Sequence, residues 1–321
     1  MIPIDMPTLI VILSMLIIIP IVLLFLTMYF IYRFSFGRKK DADVYDGFDT
    51  PHMEPYKEES HAAISTLLSI EYEEIYIESP LDGTRLHARL KLMDDKSPIQ
   101  ILFHGYRSNP FRDFSGGALA ALSHGHSVLM IDQRAHLGSE GKTITFGIKE
   151  RYDALGWINY IHDRFPEREI ILVGISMGAA TVIGAAGLEL PDAVKCAIAD
   201  CPFAVVKDEL SHAAKNMGIF ANIYPVIRFS GKIFGKFDTE DGDLRKSVAA
   251  SRIPIMILHG DADRLVPIEM SLQLKEAAPD TVTHVAFPGA RHGISYLTDK
   301  ERYIKEVYGF IAKHTTASAA E

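Results

Sequence analysis

Two cysteines and one tryptophan are all that 321 residues contain of either type. Cys196 and Cys201 are too few for a disulfide scaffold or for a structural zinc site built on thiolates. Basic excess is also missing: 33 Lys and Arg stand against 41 Asp and Glu, a formal charge of −8. With no dominant basic face, nucleic acid is not an expected partner. No repeat period suggests a solenoid. From Leu9 to Tyr32 charge is absent altogether.

That last absence is the first positive signal. The run LIVILSMLIIIPIVLLFLTMYFIY matches the roughly 20 apolar residues needed to cross a bilayer as a helix. It also accounts for a mean hydropathy of +0.11. Pro20 is compatible with a spanning helix, and Tyr29 and Tyr32 suit the headgroup layer. A cleaved signal peptide would want basic residues before a shorter apolar core. Here Asp5 precedes the run, whereas Arg33, Arg38, Lys39 and Lys40 come after it. The positive-inside rule then places the chain beyond Tyr32 in the cytoplasm. The expected organisation is a transmembrane anchor over 1–37 (span 9–32), a polar linker over 38–60 and a catalytic domain over 61–315. A frayed tail over 316–321 completes it.

Within the domain, strand-like and helix-like segments alternate. Glu71–Glu78 and Arg85–Leu92 alternate in polarity around a Leu81-Asp82-Gly83 turn and read as an antiparallel hairpin. Short apolar runs at Ile99–Phe103, Val128–Ile131, Ile170–Val173, Ala193–Ile198 and Ile255–Leu258 read as strands buried on both faces. Val282–Phe287 is a weaker sixth. Helical patterns cover Lys149–Phe165, with Trp157 as a core anchor, and Met177–Leu188, Ile268–Ala278 and Lys300–Lys313. The expected fold is α/β: a mostly parallel sheet of about eight strands with helices on both faces. Residues 203–252 carry no convincing strand. Their amphipathic stretches Lys207–Met217 and Ile219–Phe234, the latter including Phe220, predict a helical cap.

Gly174-Ile175-Ser176-Met177-Gly178 is a G-x-S-x-G with a buried strand running into it and a helix running out. That context holds a serine in a strained turn with its hydroxyl exposed. The glycines are needed where side chains would strike the neighbouring strand and helix. A nucleophilic serine needs a base and an orienting carboxylate, in the order Ser, Asp or Glu, His on loops after strands. Asp261 and Asp263 come after Ile255–Leu258. His292 comes after Val282–Phe287, and of the thirteen histidines it alone lies beyond the acid on such a loop. His104 and His259, each before a glycine at a strand end, read as structural. The backbone N–H of Met177, just after the serine, is one expected oxyanion donor.

From about residue 70 to 315 the chain resembles the α/β-hydrolase fold family. The resemblance implies that the His259-Gly260-Asp261-Ala262-Asp263-Arg264-Leu265-Val266-Pro267 segment carries its acid at Asp263, with Asp261 as a loop cap. It makes His292 the late histidine. By likeness to the family's HG-x loop, Tyr106 in Phe103-His104-Gly105-Tyr106 becomes the second oxyanion donor, its ring lining the acyl pocket. Asp132-Gln133-Arg134-Ala135-His136-Leu137-Gly138-Ser139 resembles the family's D-x-R-G-x-G-x-S loop. It departs at Ala135 and Leu137, where the pattern has glycines, and Asp132 and Arg134 read as scaffold. The implied activity is a membrane-anchored serine hydrolase cleaving a carboxylic ester through Ser176, His292 and Asp263, with no metal or organic cofactor. The substrate is a small-molecule or lipid ester. Acyl transfer, thioester cleavage and (lyso)phospholipase action are alternatives on the same fold. A catalytically inert tethered scaffold belongs to a different class, which a complete triad argues against.

Overall fold

In the computed structural model, residues 5–41, 43–94, 96–219 and 222–316 are described. Phe220 of the cap and all of the tail but Thr316 lie outside them. Eight strands form one sheet: β1 (Glu73–Glu78), β2 (Arg85–Lys91), β3 (Ile99–Phe103), β4 (Ser127–Asp132), β5 (Ile170–Ile175), β6 (Val194–Asp200), β7 (Ile255–Gly260) and β8 (Val282–Phe287). Their order is β1-β2-β4-β3-β5-β6-β7-β8. The sheet is mixed: β1 and β2 pair antiparallel, as do β2 and β4, and the remaining pairs are parallel.

The period of two in the central strands sorts their side chains into two cores. Ile99, Ile101 and Phe103 of β3, Leu129 and Ile131 of β4, and Ile170 and Leu172 of β5 face one way. There they meet α5 (Glu150–Arg164), α6 (Met177–Ala186), α9 (Leu244–Ala250) and α10 (Ile268–Ala277). Trp157 on α5 is fully buried in this layer. Leu102, Val128, Met130, Ile171 and Ile198 face the other way. They meet α2 (Lys57–Leu68), α4 (Ser115–Ser123) and α12 (Lys300–His314). Two further short helices are α3 (Pro110–Asp113) and α11 (Ser295–Thr298).

Between β6 and β7 come α7 (Val206–Asn216), α8 (Tyr224–Ser230) and a π-helical turn at Gly231–Gly235, ahead of α9. Within the amphipathic stretch Ile219–Phe234, the described helical residues form α8 and most of the π turn. Lys236 closes it in the left-handed region, φ 53°.

The first helix, α1 (Met6–Phe36), exposes apolar side chains along most of its length, which suffices in length and composition to cross a membrane. Its end behaves differently. Met28, Tyr32 and Phe36, four residues apart on one face, are buried, and Tyr32 and Phe36 belong to the main core. Phe234 of the π turn packs on Phe25, Tyr29 and Tyr32 at 5.0, 5.3 and 5.5 Å between ring centroids. Phe36 meets Phe237 edge-on at 5.0 Å. The expected division between anchor and domain at residue 37 thus cuts through a packed interface.

Residues 38–60, expected as a tether, are docked instead. The Arg38 guanidinium donates to Leu137 O and Ser139 O, and Asp41 accepts from Leu137 N. The last part is already helical, because α2 starts at Lys57 and buries Ser60, Ile64 and Leu67. The Asp132–Ser139 loop turns without glycine at positions 135 and 137. Ala135 and Leu137 take positive φ, 61° and 43°. Hydrogen bonds hold that shape: Asp132 accepts from His87 Nδ1 and Gly138 N, and Arg134 pairs with Asp153 and Asp82.

Candidate active site

Ser176 sits where β5 turns into α6, at φ 56° and ψ −115°. A non-glycine residue there is strained. Its N–H donates to Asp200 O on β6, which holds the turn against the sheet. A Cβ on Gly174 would overlap Gly178 O, and one on Gly178 would overlap Phe103 O. Backbone therefore approaches backbone on both sides of the serine, and side chains are excluded.

Asp263 and His292 lie just beyond β7 and β8, at the same edge of the sheet. The Ser176 hydroxyl lies 2.9 Å from His292 Nε2, and His292 Nδ1 lies 2.7 Å from Asp263 Oδ2. With the proton on Nδ1, the imidazole donates to the carboxylate and accepts from the serine. The other oxygen, Oδ1, accepts from Leu265 N and Val266 N, each at 2.9 Å. Asp261 does not face His292; it accepts from Gly289 N. His259, fully buried, donates through Nε2 to Val266 O at 2.9 Å and lies 3.3 Å from Asp263 Oδ2. His104 is likewise enclosed and receives Gln133 N on its Nε2.

These contacts set the charges. Burial resists ionisation of Asp263, yet the hydrogen bonds from His259 and His292 outweigh it and hold the carboxyl well below the usual range. Burial also works against the imidazolium of His292. The Asp263 carboxylate hydrogen-bonded to Nδ1 prevails and lifts its pKa above the ordinary value.

The two expected oxyanion donors flank the serine. Met177 is the first residue of α6, so its N–H has no intrahelical acceptor. On the opposite loop, Gly105 N donates to Asp113 and Arg107 N to His136 Nε2. The Tyr106 N–H between them has no acceptor among the described residues. The end of α1 fixes this loop. Tyr106 Oη donates to Ser35 O at 2.9 Å, and the Arg107 guanidinium donates to Phe34 O and Gly37 O at 2.6 and 3.1 Å. The Tyr106 ring stacks on Phe146 at 4.9 Å.

Ser176 and His292 open into a cavity of about 870 Å³. Its walls include Tyr106, Phe146 and Phe203, with Leu210 and Ile227 of the cap. Phe30, Ile31, Phe34 and Ser35 of α1 complete them. Sequence reasoning missed this last wall. It also missed three buried polar groups. Cys201, at the end of β6, stands 4.0 Å from His292 Nε2, and burial raises its thiol to about 11. Asp200 accepts from Ser295 Oγ and is raised to about 6 by burial. Glu209 of α7 lines the cavity. Cys201, Asp263 and His292 each offer a ligand atom within 4.8 Å of the others, the set that could hold a metal. A metal there would occupy His292, the partner of the Ser176 hydroxyl.

An eight-stranded sheet with a serine elbow after β5, and an acid and a histidine after β7 and β8, defines the α/β-hydrolase fold. The sequence profile of that fold family matches residues 101–225. The chain has the α/β-hydrolase fold. Among curated proteins it is similar to the uncharacterized protein YqkD of Bacillus subtilis, 26% identical over 214 residues, covering 66% of this chain and 70% of that one. Among solved structures it is similar to the esterase Pf2001 of Pyrococcus furiosus, with a TM-score of 0.63 at 23% identity, covering 78% of this chain and 93% of the esterase. It also resembles Est1E of Butyrivibrio proteoclasticus, solved with ferulic acid bound, with a TM-score of 0.57 at 21% identity, covering 75% and 98%.

Proposed function

We propose that this protein is a membrane-anchored serine hydrolase that cleaves carboxylic esters. The observation that carries the reading is the hydrogen-bonded chain from Asp263 through His292 to Ser176, opening into the cavity. Ser176 attacks the acyl carbon while His292 Nε2 takes its proton. Asp263 keeps the imidazole in the productive tautomer and stabilises the imidazolium. The N–H groups of Met177 and Tyr106 receive the oxyanion. His292 passes the proton to the leaving alcohol, and water releases the acyl group from Ser176 by the reverse route.

The substrate we favour is a lipid ester. α1 supplies Phe30, Ile31, Phe34 and Ser35 to the cavity wall, and Phe30 and Phe34 remain 69% and 44% exposed. With α1 in a bilayer, an acyl chain reaches the serine along the anchor. Arg33, Arg38, Lys39 and Lys40 after the span favour the cytoplasmic side for the domain.

The test uses the full chain in detergent, as wild type and Ser176→Ala, with a fluorophosphonate probe and a chain-length series of p-nitrophenyl esters. Wild type should label and turn over, and Ser176→Ala should do neither. Folded wild type that neither labels nor hydrolyses any ester of the series overturns the reading.

A further inference from the structure

Glu209 is out of place. α7 exposes Lys207 and Asp208, yet turns Glu209 inward beside Val206, Leu210 and Ala214, leaving it 8% exposed. Its Oε2 is buried with no hydrogen-bond partner among the described residues, and the residue lines the cavity that holds Ser176 and His292. A carboxyl among apolar side chains is costly unless something pairs with it, and a leucine would complete the apolar face of α7 without that cost. Burial pushes the carboxyl up to about 7, with His292 pulling it down and Asp263 pushing it up.

The position on the site is also defined. α7 is clipped to the acid loop: His212 Nε2 and Asn216 Nδ2 both donate to Arg264 O, at 3.0 and 3.2 Å. Arg264 adjoins Asp263, and the groups whose charge reaches Glu209 are His292 and Asp263. Glu209 therefore stands on the histidine side of the cleft. There the leaving alcohol accepts its proton.

We propose that Glu209 recognises the alcohol half of the substrate by accepting a hydrogen bond from a donor that the alcohol carries beyond the scissile ester. The fitting class is an ester of a polyol or an amino alcohol with at least one O–H or N–H left free. This rests on the ester-hydrolase reading and adds its specificity: a site built around an unpaired acceptor penalises an analogue without the donor. Glu209 touches the leaving group and forms no bond to the reacting atoms.

The experiment compares three octanoate esters on the full chain in detergent: the 1-glyceryl, the 2-aminoethyl and the propyl ester. Wild type, Glu209→Gln and Glu209→Leu are each titrated with fluorophosphonate to count sites. In wild type, kcat/KM for the better donor-bearing ester should exceed that for the propyl ester by roughly 10- to 100-fold. Which of the two is better identifies the donor as hydroxyl or ammonium. The ratio should fall towards one in Glu209→Leu and be partly kept in Glu209→Gln, whose amide oxygen still accepts. A wild-type ratio near one, or an unchanged ratio in a labelled, folded Glu209→Leu, overturns the proposal alone. Wild type that neither labels nor hydrolyses any of the three esters overturns the hydrolase reading, and this inference with it.

Discussion

The two sides of the cavity are made by different physics. On the sheet side, Ser176, Asp263 and His292 are placed by backbone: a positive-φ turn, glycines where no Cβ fits, and N–H groups aimed at a carboxylate. On the cap and α1 side, the walls are held by side-chain packing, with Phe234 on Phe25, Tyr29 and Tyr32, and Phe36 on Phe237. The first arrangement tolerates almost no substitution and leaves its mark in a pentapeptide. The second can be rebuilt with other apolar residues and leaves a much fainter mark.

The largest effect should come from the sheet side. Ser176→Ala should lower turnover by about 10⁴- to 10⁶-fold with Tm nearly unchanged, measured by initial rates and thermal unfolding. Asp263→Asn should cost about 10⁴-fold. It should also move the pH profile, since the raised pKa of His292 means that kcat/KM climbs with pH as the imidazolium deprotonates. The midpoint of that limb should lie above 6.5 in wild type and shift down in Asp263→Asn, where the carboxylate no longer supports the charge. A limb that does not move would detach His292 from Asp263.

Next in size are the stability tests of the packed side. Phe36→Ala should destabilise by about 3–5 kcal/mol, because the ring is fully buried against Phe237 and Phe146. Leu16→Ala, on the exposed length of the same helix, should change detergent-phase stability by less than about 0.5 kcal/mol. Equal effects would mean that α1 is one uniform element, contrary to its buried end. A smaller effect than that of Phe36→Ala, and of opposite sign, belongs to Lys236→Gly. The lysine is exposed in the left-handed region, so glycine there should stabilise by about 1 kcal/mol, read from Tm.

This contrast also explains what was legible in the sequence. Strand–helix alternation and the elbow are local patterns, and each strand run expected from composition is found within two residues of its position. The order Ser, Asp, His could be read because each residue comes directly after a strand. The docked end of α1 could not be read in the same way. In a helix apolar on every face, a buried stripe at Met28, Tyr32 and Phe36 looks like the rest. The tether at 38–60 has no apolar period, since its attachment is through Arg38 and Asp41 to backbone groups of a distant loop. The turn around Ala135 and Leu137 is held by hydrogen bonds and ion pairs of Asp132 and Arg134, which a glycine pattern does not record. Glu209 was visible in principle: it lies three residues after Val206 and one before Leu210 on the apolar face of an amphipathic helix. Sorted only by amphipathicity, it passed as one more polar residue.

The hydrogen bonds from Tyr106 and Arg107 to the carbonyls of residues 34, 35 and 37 have a further consequence for kinetics. They tie the oxyanion loop to the last turn of the anchor. On the proposed membrane-anchored reading, the site cannot leave the height in the bilayer at which α1 ends. On that reading the enzyme meets its substrate in two dimensions. Its rate at saturation then depends on the mole fraction of ester in the surface, and adding inert lipid slows it even when the total amount of ester is unchanged.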